Sequence, residues 1–203
     1  MATRSGMSNL ITRLRRMTNA GTADHTVAGA SYFSDQHLQD LLDANCTFVE
    51  DSAIKWIPDT ISGGSITYHR ASLGWRDLEE AESGTIYWNI KDSTGTIQGT
   101  SGYTKDYIAG QVRFTADQAG SAYYWTGRSY DLNSAGADVW QTRQAFYATA
   151  YDFESDQQMF KRSQLYKQAV DMEQQLRARS GQNVSRGNLQ VTLMTRTDIR
   201  RMD

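Results

Sequence analysis

The chain has 203 residues, enough for one domain with a substantial core or for a core domain carrying an insertion. Lys and Arg number 21 against 23 Asp and Glu, a net charge of −2 that excludes a generally basic nucleic-acid binder. The single cysteine, Cys46, excludes an internal disulfide; no apolar run has the length of a signal-peptide core or a membrane span, so a soluble protein made in a reducing cytoplasm is expected.

The first predicted element is a short amphipathic helix over Ser8–Thr18. Leu10, Ile11, Leu14 and Met17 recur at helical spacing with Arg13, Arg15 and Arg16 opposite them. A Gly/Ala/Thr linker follows over Asn19–Ala30. Ser34 then offers an N-cap to "DQHLQDLLDAN", where Leu38, Leu41 and Leu42 make the apolar face and Asp35 suits the positive helix end.

From Cys46 to Tyr130 the period changes. "CTFVEDSAIKWI", "GSITYHRASL", "GTIYWNIKDS" and "GQVRFTAD" alternate or cluster β-branched and aromatic residues between Gly-containing breaks. "YTKDYIAGQVRFTADQAGSAYYW" reads as a three-strand meander: Tyr103–Tyr107, a turn with Gly110, Gln111–Thr115, a turn with Gly120, then Ala122–Thr126. In that reading Gly127–Tyr130 is only the crossing into the next helix.

Asp131, Asn133 and Ser134 are competent caps for a helix over "SAGADVWQTRQAFYATAYDF", with Val139, Phe146 and Ala150 on one side and Trp140, Tyr147 and Tyr151 beside them. Ser155 and Gln158 have capping-box spacing and predict a second helix running to about Arg179. Its inward set is Met159, Leu165, Tyr166, Ala169, Val170, Met172 and Leu176, with Gly181 at the C′ position. A join as short as Asp152–Glu154 implies an antiparallel pair. In the polar, basic tail Gln182–Asp203, Leu189, Val191 and Leu193 alternate as in a strand, able to add to this chain's own sheet or to that of another subunit.

The charge is divided along the chain. Asp35–Ser83 holds ten acidic residues against Lys55, Arg70 and Arg76, whereas Arg177–Asp203 holds six Arg against Asp198 and Asp203. His25, His37 and His69 have no metal-ligand spacing, and Cys46 has no nucleophile signature, so all four are read as structural. "RDLEEAES" lacks the pattern of a calcium loop and is read as a solvated turn. No GxGxxG or GxxxxGK[ST] occurs. No catalytic residue, metal site or cofactor is therefore expected, and the protein is read as a non-enzyme.

One cluster, "AYYWTGRSYDLNSAGADVW", admits a ligand platform of stacked rings as well as a strand-to-helix scaffold. Arg113 and Arg128 are opposed by Asp106, Asp117, Asp131 and Asp138, which disfavours nucleic acid, and alternating rings on strands favour packing.

The order of elements resembles that of the head–tail connector, or adaptor, proteins of tailed bacteriophages. The resemblance is carried by "SYFSDQHLQDLLDAN", by the run from "YTKDYIAGQVRF" through "VDMEQQL", and by the β-rich insertion between them. Within these, Ala137-Asp138-Val139-Trp140 matches an "A-x-x-x-W" helix and Phe160-Lys161-Arg162-Ser163-Gln164 a helix opening near "F-x-x-S-Q". It spans roughly residues 32–179.

The resulting expectation is an α+β fold: a small helical bundle, made of an antiparallel C-terminal helix pair plus N-terminal helices, with a large antiparallel β insertion. The parts are 1–45, N-terminal helices and linker; 46–130, the insertion; 131–181, the core helix pair; and 182–203, a C-terminal arm. Trp125, Tyr130, Trp140, Phe146 and Phe160 are expected to form the core seam. The resemblance implies a structural virion protein at the head–tail junction, made in the host cytoplasm. It would form a homo-oligomeric ring, a dodecamer, docked on the portal protein and meeting a tail-side stopper or completion protein, with genomic DNA passing through its lumen and no membrane contact. Leu189, Val191, Leu193, Arg196, Arg200 and Arg201 are the expected portal or subunit contacts. The alternative is a β-rich module of a virion that binds carbohydrate or a host receptor through Trp56, Trp75, Trp88 and Trp125.

Overall fold

The computed structural model describes residues 3–21, 26–27, 30–31, 33–60, 65–80, 88–148, 153–155, 158–160 and 162–181. A 3₁₀ turn, Ser5–Met7, leads into helix α1 (Ser8–Thr18). Met7, Leu10, Ile11 and Leu14 lie on one stripe and are all buried. α1 ends at Asn19, whose left-handed conformation (φ 52°) lets its N–H bond back to the Arg15 carbonyl. The stretch read from sequence as a plain linker contains a two-residue antiparallel ladder, β1 (Thr26–Val27) with β2 (Ala30–Ser31). In α2 (Asp35–Ala44) the expected cap is present: Ser34 Oγ accepts the His37 N–H at 3.3 Å.

Seven strands follow: β3 (Cys46–Ala53), β4 (Lys55–Thr60), β5 (Ile66–Ser72), β6 (Asn89–Asp92), β7 (Tyr103–Asp106), β8 (Gln111–Phe114) and β9 (Tyr123–Tyr130). They form two antiparallel sheets, ordered β3-β9-β6 and β4-β5-β8-β7. The β7–β8 hairpin forms with Gly110 (φ 65°) in its turn, but the meander stops there. Ala119 and Gly120 both take left-handed conformations (φ 50° and 71°), and Asp117 Oδ1 accepts the N–H groups of Tyr68 and Ala119. This turn sends the chain out of the sheet of β8, so β9 pairs with β3 and β6. The strand also runs through Gly127 to Tyr130 without a break.

Helices α3 (Leu132–Ala148) and α4 (Arg162–Arg177) are antiparallel, as expected. Asn133 Nδ2 donates to the Arg179 carbonyl at 3.1 Å and Gln144 Nε2 to the Ala169 carbonyl at 3.2 Å, so residue numbers run in opposite senses across the pair. Their junction differs from the expectation. Ser155 and Gln158 do not open a helix but face each other in a hairpin, β10 (Phe153–Ser155) with β11 (Gln158–Phe160), and α4 begins only at Arg162. A Ser-x-x-Gln stretch flanked by Phe153, Met159 and Phe160 satisfies two-residue hairpin spacing as well as a capping box, and the aromatic flanks favour the strand.

The apolar face of the helix pair is also narrower than expected. α3 buries Leu132, Ala135, Gly136, Ala137, Val139 and Arg143, and α4 buries Ala169 and Leu176. Phe146, Leu165 and Tyr166 are 40%, 43% and 42% exposed, which corrects their expected place in the core. The cause is length. α1 ends level with Arg143, whose guanidinium bonds the Thr18 and Asn19 carbonyls, so the last turn of α3 and the first of α4 extend past the helical layer.

Two apolar cores result. One joins α1, α2 and α3 with Phe33 and Tyr130; the other fills the space between the sheets with Leu73, Leu78, Trp88, Ile90, Val112, Phe114 and Trp125.

Candidate functional site

The two cores meet along β9, whose alternation explains the cluster that the sequence left open. Tyr123 and Trp125 point into the β core, and Tyr130 points the other way into the helical core. One strand therefore belongs to both lobes. Along β9, β6 pairs with Asn89↔Thr126 to Asp92↔Tyr123, and the segment around Leu78 takes over at Ser129. Tyr130 N–H donates to the Asp77 carbonyl at 3.0 Å and Glu79 N–H to the Arg128 carbonyl at 3.2 Å.

That segment carries Glu79 to the centre of an ionic cluster beneath Tyr130. The Tyr130 hydroxyl donates to Glu79 Oε2 at 2.6 Å and accepts from Arg4 Nη2 at 3.1 Å. Arg4 also donates through Nε to Glu79 Oε1 at 2.9 Å and in a fork to both Asp43 oxygens at 2.6 and 2.8 Å. Arg128 approaches Glu79 Oε2 at 3.3 Å, and the Arg4 N–H donates to Gln39 Oε1 at 2.8 Å. The N-terminal turn, α2, the Asp77–Glu80 segment and β9 are thus held at one point.

The cluster shifts the titration of several of its groups. Asp43 and then Glu79 push the Arg4 guanidinium further up its already high range. Burial, reinforced by Glu79, raises the Tyr130 hydroxyl, which stays a donor. Burial also raises the half-buried Cys46 thiol beside this cluster, which disfavours its thiolate form. Asp77 is raised by burial despite its ion pair with Arg13. The arrangement has positioned charges and no nucleophile–base pair among the described residues; what it can do is lock two lobes together.

Of the expected seam residues, Trp125 and Tyr130 are fully buried. Trp140 is half-buried, with the Arg143 guanidinium 4.6 Å over its ring. Phe146 is exposed and packs edge-on against Tyr147, and the side chain of Phe160 lies outside the described residues, as do Leu189, Val191, Leu193, Arg196, Arg200 and Arg201. The four tryptophans named for ligand stacking do not form an open row. Trp88 and Trp125 are buried with ring centroids 5.6 Å apart, Lys105 lies over Trp88, and Trp56 and Trp75 are half-buried against the same core.

Sequence reasoning missed Arg4 and Glu79. Arg4 falls outside every recognisable pattern, and Glu79 sits in the acidic run read as a solvated turn, though its side chain is 13% exposed. A local signal was present in Asp77-Leu78-Glu79, whose alternation fits a short strand.

A separate shallow pocket of about 400 Å³ opens over the four-stranded sheet, lined by His69, Ser101, Tyr103, Thr104, Arg113, Phe114 and Thr115. Among the described residues no group of three or more His, Cys, Asp or Glu is placed to hold a metal, and no helix is long and apolar enough to cross a membrane. In comparisons with known proteins, no protein-family model, no curated protein and no solved structure matches the chain.

Proposed function

We propose that the chain is a structural protein of a tailed-phage virion, a head–tail adaptor. Identical copies close into a ring, a dodecamer, that docks on the portal, extends the DNA channel and offers its far side to a tail-side stopper or completion protein. Genomic DNA passes the lumen without sequence-specific contacts, and the ring resides at the head–tail junction after synthesis in the host cytoplasm. The protein acts by assembly and not as an enzyme.

One observation carries this reading: β9 and the Arg4–Glu79–Tyr130 cluster make the β body a rigid extension of the helical core. A ring subunit under the load of packaged DNA needs such a weld, whereas a recognition module hung on a linker does not. The divided charge supports it as well, because unlike patches on one chain favour the head-to-tail contacts that close rings.

Negative-stain imaging of the purified chain, alone and mixed with portal, is the test. Rings with a central channel, or rings completed on the portal, are expected; compact monomers that ignore portal would overturn the proposal. The second reading, saccharide recognition by the β body, draws on the pocket at His69, Tyr103 and Arg113, and glycan-array binding lost in Arg113→Ala would favour it.

A further inference from the structure

Sheets with open edges recruit other strands, and folded proteins blunt those edges. The two large sheets have four edges, and three are protected. β4 carries Pro58 and a register break between Ile57 and Asp59. β7 is only four residues long. The outer side of β6 is taken by the following turn, with Asp92 N–H bonded to the Thr96 carbonyl at 3.0 Å and Gln98 N–H to the Ile90 carbonyl at 2.7 Å.

β3 is different. It is eight residues long, contains no proline, and pairs among the described residues only with β9. A bulge at Asp51 leaves Cys46–Glu50 as its regular, open stretch. Phe48 lies there 54% exposed, and the exposed Glu50 side chain has no hydrogen bond or ion pair among the described residues.

The chain itself supplies a matching strand. In "LQVTLM" Leu189, Val191 and Leu193 alternate, which would set one apolar row beside Phe48, and Arg186 and Arg196 flank the segment with the charge opposite to Glu50. The arm also leaves the body at the right place. Gly181 N–H is bonded to Asp131 Oδ2, and Asp131 N–H donates at 3.1 Å to the carbonyl of Asn45, the residue before β3.

The seven residues between Gly181 and Leu189 extend at most about 23 Å, and an eight-residue strand is about as long. That reach admits the β3 edge of the same copy or of an adjacent one, and the head-to-tail ring selects the adjacent one.

We propose that Leu189–Met194 of one copy adds as a fourth strand to the open edge of β3 in the next copy. This deepens the ring proposal and rests on it. Such a contact is heterologous: each copy gives an arm and receives one, so a ring closes with every edge filled.

The test places a photo-crosslinking benzoylphenylalanine at Phe48 in the full-length chain and irradiates a mixture of ¹⁵N-labelled and unlabelled copies. The mixture is taken to about millimolar concentration, the range a tethered arm would experience. Cross-links joining Phe48 to peptides of Leu189–Met194 in mixed-isotope pairs are expected. Cross-links confined to single-isotope chains would mean the arm folds on its own body. Links to other segments, capture of added portal instead of a second copy, or no links at all would equally overturn the proposal. Val191→Asp with Leu193→Asp should weaken self-association at least tenfold while leaving the melting curve in place; unchanged association would refute it. Rings seen by microscopy without arm cross-links would defeat this inference and leave the ring intact, whereas absence of rings with portal would remove both.

Discussion

Tyr130 is buried among the helices, yet its hydroxyl donates at 2.6 Å to Glu79, on the segment that runs along the β body. The two residues are 51 positions apart. Tyr130→Phe keeps the ring and removes the donor, leaving Glu79 short of one partner and Arg4 short of another. A loss of about 1–3 kcal/mol is expected, a fall of a few degrees in melting temperature for a chain of this size. Glu79→Ala should cost more, about 3 kcal/mol, because Arg4, Arg128 and the Tyr130 hydroxyl all lose the carboxylate they share. Urea titrations of the three proteins test the order; equal midpoints would show that the cluster holds nothing.

Gly127 sits two residues from Trp125 on the same face of β9, and the indole folds across the space a side chain would fill. A Cβ at position 127 would run into the six-membered ring of Trp125. Gly127→Ala must therefore push the indole back into a core where Trp88 already packs edge-on against it. Overpacking of this kind costs about 1–3 kcal/mol. The expected signature is a changed tryptophan emission with a lowered unfolding midpoint, and a spectrum matching the wild type would contradict the geometry.

Arg143 is a charged residue only 7% exposed; its guanidinium closes the open end of α1 through the Thr18 and Asn19 carbonyls at 3.1 and 2.9 Å. The guanidinium also lies between the rings of Phe33 and Trp140, 5.4 and 4.6 Å from their centroids. Lysine cannot reproduce a planar fork and a stack together. Arg143→Lys and Arg143→Ala are both expected to destabilise by about 2–4 kcal/mol, and hydrogen exchange should rise in the last turn of α1. A lysine variant as stable as the parent would show that charge alone suffices.

The legible parts of this fold are those written in short-range patterns. α1 follows from Leu10, Ile11 and Leu14, the start of α2 from Ser34, and the β7–β8 hairpin from Gly110 between alternating strands. Partners chosen over long distances were not legible. β9 could be seen as a strand, but its pairing depends on the Ala119–Gly120 turn and on Cys46 and Asn89, far away in sequence. Glu79 looked like a solvated charge because its neutralising partners, Arg4 and Arg128, lie 75 and 49 positions away. Phe146 looked like core because periodicity tells which face is apolar and says nothing of where the opposing helix ends.

His37 ties α2 to the loop before it in a way that depends on pH. Phe33 holds a left-handed conformation (φ 62°), its N–H donates to His37 Nδ1 at 3.1 Å, and the two rings stack 5.7 Å apart. Nδ1 can accept only while it carries no proton. Burial pulls the imidazole below its ordinary value of 6.5, and Asp40 opposes this more weakly. A lowered value in the folded state means that the unfolded chain takes up the proton first. The contribution is therefore complete above about pH 6.5 and declines as pH falls from there through the folded-state value. Urea midpoints should drop between pH 7 and pH 5, and His37→Phe should remove that part of the drop. Proton NMR should place the His37 midpoint below that of a free histidine. A midpoint above 6.5 would mean that the imidazolium is the form the fold prefers, and the sign of the effect would reverse.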